Sequence, residues 1–341
     1  MKKRVSCVLL LVGVVICAFL STDANSQTKD QPIILKAVTF YPKSNMAMDP
    51  VHLFVESVNK RAQGRLRIEW LGGPEVFAAF DQVHALKGGT IDMILYIAQS
   101  YMKSVMPEAD AKGLSELTEW EERKSGAFEL WSEIFEKRVN AKYLGRFHSN
   151  LKFYIYTNWK VDKVADFKGR NIRTMPLYIP FIKALGANPI TIPPTDIYTS
   201  LERGVVDGFM FSKIGMTSFG FQEVIKYIIE PGVFQIEPVT VMNLDRWKKI
   251  PKDLQELLMD VMKDHEYIAS MRSLMIEEKE DRVMEKGGMK ITKLPPEEAA
   301  KYIKIAYDTT WEQIIKTAAE YGPKLRKAMS REAVPKGAFP W

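Results

Sequence analysis

A chain of 341 residues with 46% hydrophobic and 26% charged residues is long enough to bury two cores. Its net charge of +6 is mild for that length, and no basic block with interleaved aromatics occurs, which argues against nucleic acid as a partner. The two cysteines, Cys7 and Cys17, both lie near the start, so the body of the chain has no disulfide, no cysteine metal site and no cysteine nucleophile.

Lys2, Lys3 and Arg4 form a basic start, and Val8 to Leu20 is an apolar run of 13 residues. A membrane span needs about 20 residues, whereas this length suits the core of a signal peptide. Small residues at Ala24, Asn25 and Ser26 predict cleavage after Ala24 or Ser26. Residues 1–26 therefore read as a cleaved signal peptide, with an uncleaved anchor as the other reading. Removing them takes Lys2, Lys3, Arg4 and Asp23, which lowers the net charge to +4. No later segment is long and apolar enough to span a bilayer, so the expectation is an exported, soluble protein.

Ile33 to Phe40 reads as a buried strand. Pro50 to Ala62 reads as an amphipathic helix, with Val51, Phe54, Val55 and Val58 at helical spacing and Gly64 after its end. Leu66 to Leu71 alternates as a strand, Gly72-Gly73-Pro74 is a turn, Phe80 to Leu86 is a short helix, and Ile91 to Tyr96 is a third strand. This strand and helix alternation predicts a mostly parallel sheet covered on both faces. The pattern then repeats. Strands are expected at Lys152–Thr157, Ile172–Thr174, Pro189–Ile192 (closed by Pro193) and Val205–Phe211, and helices at Tyr178–Leu185 and through Leu201, the latter capped by Thr195 or Asp196. Asp253 to Lys286 reads as one long helix or two joined end to end. Met289 to Leu294 is extended, and Pro296 to about Tyr321 is helical.

Catalytic constellations are missing from the sequence. It holds no Gly-x-Ser-x-Gly elbow, no phosphate-binding Gly-x-x-x-x-Gly-Lys loop and no His-Glu-x-x-His helix. The histidines, His52, His84, His148 and His265, are scattered. Asp81 and His84 share a helix face, which is first of all a solvated face. No cofactor is implied, and no acidic cluster demands a metal ion, although Glu75 and Asp81 leave that option open. A structural theme does recur: Gly88-Gly89-Thr90-Ile91-Asp92 and Gly204-Val205-Val206-Asp207-Gly208 each end a helix and begin a strand. In open parallel sheets ligands bind beyond the carboxyl ends of strands. Those ends, Phe40-Tyr41, Tyr96-Ile97, Arg173-Thr174 and Met210-Phe211, make an aromatic set with one cation.

The stretch 166–211, "DFKGRNIRTMPLYIPFIKALGANPITIPPTDIYTSLERGVVDGFMF", resembles the periplasmic solute-binding proteins of TRAP (tripartite ATP-independent periplasmic) transporters, dicarboxylate-type. "GRLRIEW" (64–70), "GGTIDM" (88–93), "EVIKY" (223–227) and "NLDRWKKIPKDLQELL" (243–258) fit the same family. The resemblance implies an α/β, two-lobed periplasmic binding protein fold with crossing strands and a long bracing helix. Lobe I would be 27–149 with 238–275 returning to it, and lobe II 150–237 with helical segments of 276–341 packing on it. It implies a binding protein rather than an enzyme, periplasmic, delivering a small organic acid to TRAP membrane permease subunits driven by an ion gradient. A ligand-presenting protein for a membrane sensor and an exported enzyme on the same fold are the alternatives.

By the same resemblance Arg173 holds the ligand carboxylate, and Asn171 stands where the family has lysine. Some members carry a second arginine near the position of Phe153. If Phe153, Phe211, Tyr41, Tyr96 and Tyr178 line the cleft, one carboxylate is clamped and the rest of the ligand meets apolar walls. The expected ligand is then a monocarboxylate with an apolar or aromatic body. Phe209 shares a strand face with Phe211 but lies deeper and is expected in the core. Glu75, in the Gly-Gly-Pro turn, is a further candidate beside the ligand.

Overall fold

The computed structural model describes residues 31–334 apart from 150, 193 and 237. The expected signal peptide, with its cysteines and cleavage points, lies outside the described residues, as does the strand-closing Pro193. The elements in chain order are β1 (Ile33–Thr39), α1 (Asp49–Arg61), β2 (Leu66–Gly72), α2 (Gln82–Lys87), β3 (Met93–Ala98), α3 (Glu119–Ser125), α4 (Ala127–Val139), β4 (Ala141–Arg146) and β5 (Lys152–Thr157). Then come β6 (Asn171–Thr174), α5 (Ile179–Ala184), β7 (Asn188–Thr191), α6 (Ile197–Glu202), β8 (Gly208–Ser212), β9 (Tyr227–Gln235) and β10 (Pro238–Asn243). The last are α7 (Leu244–Trp247), α8 (Lys252–Lys286), β11 (Lys290–Lys293), α9 (Pro296–Thr317) and α10 (Gly322–Ala328).

Two sheets result. The first has the order β2-β1-β3-β10-β4 and the second β11-β9-β5-β8-β6-β7. The expected parallel core is present as β2-β1-β3 and as β7-β6-β8. The sheets are nevertheless mixed, because β10 is antiparallel to β3 and β4, and β5 to β8 and β9. The cause is that the chain passes between sheets three times, from β4 to β5, from β9 to β10 and, through α8, from β10 to β11. Helix α8 braces both sheets. It packs on α1 and β4 near its start, and Glu280 near its end accepts from the Thr217 backbone N–H and hydroxyl, both at 3.0 Å. It is a single helix of 35 residues, about 50 Å long.

The recurring glycine-to-aspartate turns have one physical purpose. Asp92 Oδ2 accepts from Lys36 N–H at 2.8 Å while Asp92 N–H donates to Lys36 O at 2.9 Å. Asp207 does the same to Asn171, with both bonds at 2.8 Å. Asp92 therefore pins the middle of β1 and Asp207 the start of β6, and the second pair sets the register that carries Arg173.

Where the chain crosses, a buried charge cluster joins the parts. Glu122 on α3 pairs with Lys112 at 2.6 Å and Arg146 on β4 at 3.3 Å, and accepts from Ser115 Oγ at 2.7 Å. Arg146 also donates to Leu117 O at 2.6 Å and to Gln235 Oε1, at the end of β9, at 3.3 Å. Glu266 of α8 accepts from Arg123 at 2.7 and 3.0 Å and from Arg146 N–H at 3.0 Å. This approach requires a glycine opposite: a Cβ at Gly145 would lie 2.2 Å from Glu266 Oε1.

Burial pushes the Glu266 carboxyl up to about 7, outweighing the pull of Arg123. A raised folded-state pKa gives stability that is complete below the unfolded value and is lost as pH rises through the folded one. Wild-type protein should therefore lose on the order of 2–3 kcal/mol relative to Glu266→Gln between about pH 4.5 and pH 7. Urea unfolding of both proteins across that range measures it, and parallel stability curves would refute it.

Candidate ligand-binding site

A cavity of about 320 Å³ lies between the carboxyl ends of the strands of both sheets. From the first sheet come Phe40 and Tyr41 after β1, Tyr96 on β3, and Tyr101. His148 sits in the crossing between β4 and β5. From the second sheet come Phe153 on β5, Arg173 on β6 and Phe211 on β8, with Tyr178 at the start of α5. Ile276 of α8 closes one side. The parallel strands place most of these side chains together because their carboxyl ends share one edge of each sheet, and antiparallel β5 brings Phe153 there at its amino end, opposite Ser212 of β8.

Six of the seven residues singled out in the sequence line this one cavity: Tyr41, Tyr96, Phe153, Arg173, Tyr178 and Phe211. Phe209 lies in the core instead, stacked on Tyr156 with ring centroids 5.0 Å apart. Glu75 is not brought to the cavity. Its Oε1 accepts from Gly73 N–H at 2.7 Å within its own exposed turn, a bond that also holds its carboxyl below the ordinary value. His84 rests on Ser104 Oγ at 3.2 Å.

Arg173 is 2% exposed. Its Nε donates to Ile192 O at 2.8 Å and its Nη1 to Met210 O at 3.2 Å, so among the described residues two of its five N–H donors are fixed on backbone and three remain. Burial lowers its pKa to about 10, and the opposing influences come from Tyr101, Tyr41 and Tyr178. It stays charged at neutral pH. No carboxylate among the described residues figures among these influences. Arg173 is also the one cation among the described lining residues.

The walls are aromatic. Phe40 packs on Tyr41 and Tyr101 with centroids at 4.2 and 4.9 Å, and Phe153 packs on Tyr178 at 5.0 Å. Phe211 meets Phe219 edge-on at 6.0 Å. Burial raises the Tyr41 hydroxyl to about 12 and Tyr96 well above the ordinary phenol value, so both are neutral hydrogen-bonding groups at the cavity surface.

Sequence reasoning placed Phe40 at a strand end of the site without singling it out, and missed Tyr101, His148, Phe219 and Ile276 as lining residues. Phe40 adjoins Tyr41 at a recognised strand end and was within reach of the same argument. His148 carried no signal, since the crossing that places it joins two strands of different sheets.

The family profile of bacterial extracellular solute-binding protein, family 7 (DctP), matches residues 38–317. A solute-binding protein of Albidiferax ferrireducens is 26% identical over 300 residues, covering 80% of this chain and 81% of that one. The fold is that of a TRAP periplasmic solute-binding protein from Desulfovibrio salexigens solved with bound orotic acid (TM-score 0.76, 19% identity, 88% of this chain and 98% of that one). It is equally that of DctP7, a Bordetella pertussis extracytoplasmic solute receptor binding pyroglutamic acid (TM-score 0.73, 17% identity, 87% and 99%).

Proposed function

The chain belongs to the DctP family of bacterial extracellular solute-binding proteins, and from that premise we propose that it is the periplasmic receptor of a TRAP transporter for a monocarboxylate with an apolar or aromatic body. The observation that carries this reading is the single cation, Arg173, among the described residues that line an otherwise aromatic cavity. Its three remaining donors fit one carboxylate bidentately. A second carboxylate would be taken out of water without a partner, at a cost of roughly several kcal/mol. Orotic acid and pyroglutamic acid, bound by the proteins of similar fold, each carry one carboxylate on a compact ring, which supports both the size and the charge of the proposed ligand.

Contacts from both sheets to one ligand favour the closed arrangement of the lobes, and the membrane permease subunits receive that form. Ligand release to a permease, rather than turnover, is the fate that this reading expects. A thermal unfolding panel tests the reading. Aromatic and branched monocarboxylates, including branched 2-oxo acids, should raise the midpoint by several degrees, because a ligand at 100 times its Kd adds about 2.7 kcal/mol. C4 dicarboxylates should not. Stabilisation by dicarboxylates alone would discard the proposed ligand class.

A further inference from the structure

One polar group in the cavity is not used by a carboxylate clamp. His148 is 3% exposed, its backbone is left-handed at φ 64°, and its ring borders the cavity. Non-glycine residues held in that region of backbone space cluster at functional sites.

The ring's protonation follows from its neighbours on α8. Ser273 Oγ donates its one hydrogen to Ala269 O at 2.7 Å. Ser273 can therefore only accept from His148, whose Nδ1 faces it, so Nδ1 carries the proton. Ala269 O lies beside Ser273 Oγ on the Nδ1 side of the ring. Burial, with a small push from Arg146, lowers the pKa to about 4, so the ring is neutral at neutral pH. A neutral imidazole has one N–H, which leaves Nε2 as a bare acceptor.

No described residue is seen to donate to Nε2. Tyr96 packs against the His148 ring at 5.8 Å, Tyr41 lies 6.5 Å beyond Tyr96, and Arg173 feels Tyr41. The imidazole and the guanidinium thus line the same cavity, linked through the rings of Tyr96 and Tyr41.

We propose that His148 Nε2 is a specificity determinant that selects carboxylates whose body bears an O–H or N–H donor. This rests on the monocarboxylate reading above. A ligand without the donor leaves a buried acceptor stripped of water, and that asymmetry is what discriminates.

The test is calorimetric titration of 3-(4-hydroxyphenyl)propionate and 3-phenylpropionate into wild type, His148→Asn and His148→Gln. Asparagine tolerates the left-handed backbone and keeps an amide donor near the Nδ1 position, but places no acceptor at Nε2. Glutamine can set its amide oxygen near Nε2. Wild type should prefer the hydroxylated acid by about tenfold. His148→Asn should lose that preference and His148→Gln should keep part of it. A purely structural role would weaken both acids equally and leave their ratio unmoved. Equal wild-type affinities, or a preference that survives in His148→Asn, would overturn the proposal while leaving the monocarboxylate reading in place. Binding of neither acid would overturn both.

Discussion

Arg173→Gln should weaken binding of the monocarboxylate by at least about 100-fold. The wild-type guanidinium sits at the cavity wall with three N–H donors uncommitted and no carboxylate beside it among the described residues. Two charge-assisted hydrogen bonds to a ligand carboxylate contribute roughly 1.5–3 kcal/mol each, and each 1.4 kcal/mol is tenfold in Kd. Arg173→Lys keeps the charge but loses the planar fork, so its loss should be smaller, about tenfold. The two carbonyls that Arg173 holds, Ile192 O and Met210 O, lie on the segment after β7 and on β8, and glutamine can serve only part of that role. A stability loss of about 1–2 kcal/mol should accompany the change, within the range for a buried hydrogen bond. Isothermal titration of the three proteins measures the affinities. An Arg173→Gln protein that binds within a few-fold of wild type would remove the clamp from the account.

Glu122→Gln should be the most destabilising of the substitutions considered, at about 3–5 kcal/mol. Its carboxylate is the shared anion for Lys112 and Arg146, both fully buried. Burial pushes the Glu122 carboxyl up, yet Arg146 and Lys112 outweigh that and hold it below the ordinary value. Removing it strands two cations. Lys112 can relieve part of the cost by releasing its proton, since burial already lowers its pKa to about 8. A depressed lysine gives stability that is present above the unfolded pKa of about 10.4 and is lost as pH falls through the folded value. The variant depresses it further, so the gap from wild type should narrow as pH rises from 7 towards 10. Urea unfolding at several pH values checks both parts. A loss under 1 kcal/mol would mean that the cluster holds water or relaxes freely.

The amphipathic and alternating segments were legible because one face of each is buried against a single neighbour. Helix α1 buries Val51, Phe54 and Val58, as its spacing predicts, while Val55 is half-buried and Pro50 is buried as well. The elements that escaped are those whose burial depends on ion pairs or on crossing between sheets. Helix α3 buries Glu119, Glu121 and Glu122, a pattern that reads as solvated until Arg146, Lys112 and Arg331 are placed beside it. Strand β9 contains Pro231 and Gly232, residues that are poor strand formers, and no strand was expected there. The expected helix to Tyr321 ends at Thr317, and the chain re-forms a helix from Gly322.

Of the site, strand ends gave Tyr41, Tyr96, Arg173 and Phe211, since parallel strands present their carboxyl ends together. Glu75 failed because its carboxylate closes its own turn. His148 could not be found from spacing, because its place depends on α8, more than a hundred residues away in the chain.

The most direct test of the central claim is a calorimetric comparison of 3-phenylpropionate with 2-benzylsuccinate, the same aromatic body carrying a second carboxylate. With one cation among the described lining residues and aromatic walls elsewhere, the monocarboxylate should bind at least about tenfold more tightly. A dicarboxylate that binds as well or better would contradict the account.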